Sequence, residues 1–163
     1  LFETWRQWIA HRQAGQRLTF VSFEAYPMPG DAMRQAISRW PDLLPLCETF
    51  VPGWTSVQPG INHFQLDDQT QCTVHVGDAL KRLSTWEGRA DAWYLDGFAP
   101  ARNPALWSPA MMAEVARHTA PAGTAATYSA AGDVRRGLAV AGFTVTRVPG
   151  FGRKRHMTVA RGA

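Results

Sequence analysis

The feature that most restricts this chain is a set of three short apolar runs, each closed by a carboxylate. Residues 18–23 run into Glu24, residues 72–76 into Gly77-Asp78, and residues 91–95 into Asp96. Runs of five or six apolar, aromatic and β-branched residues are too short for a helix and fit buried strands. Segments with helical spacing separate them. Residues 1–14 place Leu1, Trp5, Trp8 and Ile9 on one face, with Gly15 as a stop. Residues 31–40 are predicted as a helix with Asp31 at the N-cap and Pro41 beyond it, followed by a short helix over 42–50. Residues 51–60, rich in Pro and Gly, are predicted to be irregular. Two arms at 62–66 and 71–76 flank Asp67-Asp68-Gln69-Thr70, a hairpin signal, and a helix follows to about residue 85. Ser108 and Pro109 open a helix over 108–119, residues 123–128 form a strand, and Gly142 closes a helix over 130–141. Strands at 142–148 and 155–160 end the chain as a hairpin. Alternating strands and helices predict an α/β fold with a mostly parallel sheet and a C-terminal antiparallel hairpin.

The 163 residues correspond to one domain, 1–163, with no linker or internal repeat. No apolar run approaches the roughly 18 residues of a membrane-spanning helix. Cys47 and Cys72 are the only cysteines, neither a CxxC pair nor a disulfide framework, which points to buried thiols in a reducing, cytoplasmic setting. The five histidines show no ligand spacing, so no metal is expected. Charge is uneven. Residues 1–90 carry eight Lys/Arg against nine Asp/Glu, residues 91–163 nine against four, and 15 of the 17 cations are Arg. An arginine-rich C-terminal half fits a polyanionic partner or a solvated face.

In an open α/β sheet, ligands bind beyond the carboxyl ends of the strands. Glu24, Asp78 and Asp96 are predicted there, on one rim. A Glu in the position of Glu24 commonly holds ribose hydroxyls, because one carboxylate accepts from two adjacent OH groups. Each acid also has the simpler option of capping the next helix. That option suits Asp78 as well as ligand binding does. It suits Glu24 less, since Pro27 and Pro29 precede the next helix.

Phosphate-binding signatures of the GxGxxG and GxxxxGK[ST] types are absent. Gly150-Phe151-Gly152 leads into cations and a strand rather than a helix. Ser129 lacks the glycines of a nucleophile elbow. The most informative motif is Asp96-Gly97-Phe98-Ala99-Pro100, which joins a carboxylate, a glycine permitting close approach, and an aromatic ring in one loop. Such a loop orients amines in methyltransferases; a plain turn at a strand end is the alternative.

Three longer blocks carry a resemblance: DAWYLDGFAPARNPALWSP (91–109), GTAATYSAAGDVRRGLAVAGF (123–143) and PGFGRKRHM (149–157). Together with VSFEAYP (21–27), they resemble the methyltransferase domain of the MnmC family, bifunctional tRNA enzymes that make 5-methylaminomethyl-2-thiouridine at the wobble position. The resemblance runs over essentially the whole chain. It implies a class I, Rossmann-like fold that binds S-adenosylmethionine, with Glu24, Asp78, Ala79 and Gly97 at the cofactor and Asp96, Phe98 and Pro100 at the reacting amine. It implies methyl transfer to the aminomethyl nitrogen of the modified uridine. It also implies phosphate contacts to the anticodon region from Arg102, Arg135, Arg136, Arg153, Lys154 and Arg155. FAD is expected only on a separate oxidoreductase domain, fused or associated.

The family's glycine-rich loop and the strand before it fall ahead of residue 1. The expectation is therefore a fragment lacking its N-terminal strand and half its cofactor site, inactive alone, in which strands 18–23 and 91–95 either pair or keep unpaired edges. Two other functions stay open: an RNA-binding module on a degenerate methyltransferase scaffold, and an N-methyltransferase for another amine.

Overall fold

The computed structural model describes residues 1–152 and 154–162. The chain divides into two compact units, Leu1–Arg82 and Leu83–Ala163.

In the first unit, α1 (Phe2–His11), β1 (Leu18–Glu24), α2 (Gly30–Ile37), α3 (Leu44–Trp54), β2 (Gly60–Asp67) and β3 (Thr70–Val76) build a three-stranded sheet of order β1-β3-β2. β1 runs parallel to β3, and β2 antiparallel to it. The core joins Phe2 and Trp5 of α1, Cys47, Phe50 and Val51 of α3, and Leu66, Cys72, Val74 and Val76 of the sheet. Both cysteines are free and buried, and burial pushes the Cys72 thiol up to about 12.

Several boundaries differ from the sequence expectation. α3 continues through Pro52 to Trp54, where an irregular segment was expected. Proline forfeits one backbone bond there, but Trp54 packs at 5.2 Å from Phe50 and 5.8 Å from Phe64, and this apolar contact outweighs the loss. α1 ends at His11 rather than near Gly15, because Arg12 turns extended and sends its guanidinium to Asp67. Its buried face carries Phe2 and Trp5, while Ile9 is exposed. α2 begins at Gly30 with Pro29 as N-cap, which leaves Asp31 in the first turn rather than at the cap. β1 is half-buried along most of its length. It closes one edge of its sheet and has no strand on its other side among the described residues.

Asp67 ties α1 to the β2–β3 hairpin. Its Oδ2 accepts from Trp5 Nε1 at 2.7 Å and Thr70 Oγ1 at 3.0 Å. Its Oδ1 accepts from Arg12 Nη1 at 2.5 Å and the Gln69 N–H at 2.9 Å. Burial by itself raises an aspartate, but these donors, Trp5 foremost, outweigh it and hold Asp67 down at about 2. A depressed carboxylate stabilises the fold above its unfolded value and loses that contribution as pH falls through its folded value. Asp67→Asn is therefore expected to be less stable than the parent at pH 6, by at most about 2 kcal/mol. The gap should close between roughly pH 4 and pH 2, since 3.8 is the unperturbed value and about 2 the folded one. Urea midpoints of both proteins across that range check it; Glu3, also held low by Arg6 and Gln7, titrates in both and cancels. A gap that does not change with pH would remove Asp67 as an ionic anchor.

The boundary between the units falls within α4 (Ala79–Ser84), and the second unit continues with β4 (Ala90–Tyr94), a 3₁₀ turn (Pro104–Trp107), α5 (Pro109–Arg117), β5 (Thr119–Thr127), α6 (Gly132–Val140), β6 (Thr144–Pro149) and β7 (His156–Arg161). The sheet order is β4-β5-β7-β6. β4 and β5 are parallel, and β7 is antiparallel to both β5 and β6. The seven strands thus form two mixed sheets, and the parallel pairing falls on the strands that end in the candidate acids. Met112, Val115, Val134, Leu138 and Phe143 fill the core of this unit. Ser108 caps α5 as predicted, its Oγ accepting from the Met111 N–H at 3.2 Å. β4 lies at an edge, with only β5 beside it among the described residues. No described helix is long and apolar enough to cross a membrane.

Candidate functional site

In the first unit, parallel pairing of β1 with β3 puts their carboxyl ends together. Glu24 lies opposite Val76, and the Gly77 N–H donates to the Glu24 carbonyl at 3.0 Å. Glu24 and Asp78 are thus neighbours on one sheet end, as the sequence predicts. Glu24 is half-buried. Its Oε1 accepts from the Tyr26 N–H at 2.9 Å, which folds the chain back after the strand. Its Oε2 has no partner among the described residues, so an acceptor on the rim is left for a ligand hydroxyl. Asp78 is exposed, and its Oδ1 accepts from the Lys81 N–H at 2.9 Å. Asp78 therefore caps α4, of which Ala79 is the first residue, and still offers its second oxygen to the rim. Below them, His75 stacks on Phe23 at 4.9 Å. Burial, Arg82 and His63 push its pKa down, so it remains a neutral packing group.

In the second unit, Asp96 follows β4 where the chain leaves the sheet; the Leu95 N–H still donates to Ala126 O at 2.9 Å. Asp96 is exposed, and its carboxylate accepts no hydrogen bond among the described residues. The Phe98 N–H donates to the Asp96 carbonyl at 2.6 Å, closing a tight turn around Gly97. Phe98 is left with φ of 60° and a ring 79% exposed. Left-handed backbone at a non-glycine residue costs on the order of 1–3 kcal/mol and is kept only where surrounding structure enforces it. Here Trp107 enforces it, donating from Nε1 to the carbonyls of Gly97 at 3.3 Å and Phe98 at 3.1 Å. Gly97 leaves room on the inside: a Cβ there would lie 2.8 Å from Leu106 Cδ1, so a larger residue must displace Leu106. Pro100 is half-buried, and Arg102 turns back so that its N–H donates to Ala99 O at 2.8 Å. Sequence reasoning missed Leu106 and Trp107 as supports of this loop. The only signal was their position ten residues on, in the same block as Asp96.

The basic residues fall into different environments. Arg102, Lys154 and Arg155 are exposed, with no ion pair among the described residues. Arg135 is half-buried on α6. Arg136 is exposed but paired to Asp133 one turn away. Arg153 lies outside the described residues.

A family model described as S-adenosyl-L-methionine-dependent methyltransferase matches residues 41–163. The chain belongs to this methyltransferase family. The matched stretch runs from α3 to the last strand and includes Asp78 and the whole Asp96 loop. The chain is 43% identical over 153 residues to a tRNA 5-methylaminomethyl-2-thiouridine biosynthesis bifunctional protein MnmC of Chromohalobacter salexigens, covering 94% of this chain and 22% of that protein. It is 45% identical over 154 residues to the protein of the same name in Pseudomonas aeruginosa, covering 94% and 24%. The chain spans less than a quarter of the curated relatives it matches. Among solved structures, MnmC2 of Aquifex aeolicus superposes with a TM-score of 0.60 at 21% identity, over 98% of this chain and 56% of that one. That likeness places the chain in the α/β fold of these methyltransferases.

Proposed function

We propose that this methyltransferase moves a methyl group from S-adenosylmethionine to the aminomethyl nitrogen of the modified wobble uridine in tRNA. The observation that carries the reading is the 45% identity, over 94% of the chain, to proteins named for biosynthesis of that nucleoside. Because the family match crosses the boundary between the two units, both are read as parts of one methyltransferase domain. An FAD-dependent oxidoreductase domain, fused or associated, is the proposed source of the amine, in keeping with the name bifunctional.

The residues fit the roles this reaction needs. The bound sulfonium supplies an electrophilic methyl carbon. Glu24 offers its free oxygen to ribose hydroxyls, and Asp78 and Ala79 border the same rim. An alkyl amine is mostly protonated near neutral pH, and its lone pair is available only after that proton leaves. Asp96, unengaged and exposed, orients the ammonium and takes or relays its proton. The amine nitrogen then bonds the methyl carbon as the carbon–sulfur bond breaks. Phe98 packs on the substrate base, and Gly97 and Pro100 shape the loop that presents it. Positioning supplies most of the acceleration in such an in-line displacement. Arg102, Lys154 and Arg155 are the cations best placed for tRNA phosphates, with Arg135, Arg136 and Arg153 as further contacts.

The reading is tested by incubating the complete enzyme with labelled methyl donor and either tRNA carrying 5-aminomethyl-2-thiouridine or the same tRNA unmodified. Digestion to nucleosides is expected to show label in 5-methylaminomethyl-2-thiouridine from the first alone. RNA binding with no transfer would favour the module without activity; transfer to another amine would reassign the substrate.

A further inference from the structure

We propose that Phe151, at the tip of the β6–β7 hairpin, stacks on an unpaired RNA base while the cations beside it hold the flanking phosphates. The inference rests on the tRNA reading above and adds to it a residue and a recognition mode. The turn is built by its backbone. The Gly150 N–H donates to Arg155 O at 3.1 Å, and the Lys154 N–H donates to Phe151 O at 3.1 Å. A Cβ on Gly150 would collide with the Lys154 carbonyl oxygen, so only glycine passes there. Gly152 has φ of 61°, again a glycine conformation. This narrow turn leaves the Phe151 ring 81% exposed. A phenylalanine held out this way contributes little packing to its own fold.

The surroundings select the ligand. No Asp or Glu follows Asp133, whereas seven cations do: Arg135, Arg136, Arg147, Arg153, Lys154, Arg155 and Arg161. Two of them, Lys154 and Arg155, are exposed in the same turn as the ring and have no ion pair among the described residues; cations beside a single aromatic ring suit an anionic polymer whose charges alternate with flat π faces. RNA has that character. Aromatic stacking requires an unstacked base, which tRNA offers in its loops and not in its stems.

The test uses an anticodon stem-loop oligonucleotide and, as control, a duplex with the same stem sequence and no loop. Phe151→Ala is expected to weaken stem-loop binding about 10-fold, the scale of one lost stacked base, and to leave the salt dependence unchanged. The double replacement Lys154→Ala with Arg155→Ala is expected to weaken binding and flatten the salt dependence. Phe151→Trp should keep the affinity, and the stem-loop but not the duplex should quench its fluorescence beyond any quenching of the parent's seven tryptophans. Affinity of Phe151→Ala equal to the parent's overturns the stacking role while leaving the tRNA reading intact. No RNA binding by the parent overturns both. Quenching of the Trp variant by anionic phosphatidylserine vesicles rather than by RNA overturns the proposal in favour of a lipid surface.

Discussion

In the complete enzyme, Asp96→Asn is expected to lower single-turnover methyl transfer to aminomethyl-uridine tRNA by about 10²-fold or more. The substitution keeps the size of the side chain and one acceptor oxygen. It removes the charge that favours an ammonium and the site that takes its proton. Nothing in the loop depends on that carboxylate: the closing bond runs from the Phe98 N–H to the Asp96 backbone carbonyl, and Trp107 holds the next two carbonyls. The thermal transition should therefore stay where it is, and so should affinity for the methyl donor, since Glu24 and Asp78 are untouched. Single-turnover rates, a calorimetric donor titration and a melting curve on the same preparation separate the possibilities. Near-parental turnover removes Asp96 from the mechanism. Loss of donor binding in step with turnover makes it a cofactor or fold residue.

Asp96 shows how unevenly a site is written in a sequence. The acid, the glycine and the aromatic are legible because chemistry and backbone freedom demand those types at a strand end. The support is not legible. Trp107 and Leu106 are ordinary apolar letters, and only the 3₁₀ turn of Pro104–Trp107 reveals that one donates to the loop and the other fills the space beside Gly97. The fold divides the same way. Strand positions follow from short β-rich runs between turn residues, and the β2–β3 hairpin follows from Asp67 to Thr70. Ser108 is a helix start that does follow; other helix ends do not, because tertiary contacts decide them. Arg12 leaves α1 to reach Asp67, and the Phe50–Trp54–Phe64 cluster carries α3 past a proline. The basic cluster is visible as charge, yet only the structure separates Arg136, paired with Asp133, from Lys154 and Arg155.

In the complete enzyme, Glu24→Gln is expected to weaken binding of the methyl donor about 10-fold or more, the scale of a lost hydrogen bond to a charged acceptor. The two oxygens of Glu24 have separate tasks. Oε1 accepts the Tyr26 N–H at 2.9 Å and shapes the chain after β1. Oε2, without a partner among the described residues, is the oxygen proposed to accept from ribose hydroxyls. Glutamine retains an amide oxygen for Tyr26, so the turn and the melting temperature should persist. It replaces the other acceptor with an NH₂ donor, which meets a hydroxyl in the wrong sense unless that hydroxyl rotates to accept. The loss should appear in calorimetric donor titration and in the KM for donor, while the rate at saturating donor stays close to the parent's, the reverse of the Asp96→Asn pattern. Unchanged donor affinity would reduce Glu24 to a turn-former. A drop in affinity matched by a drop in melting temperature would place its contribution in folding the strand end rather than in holding the ribose.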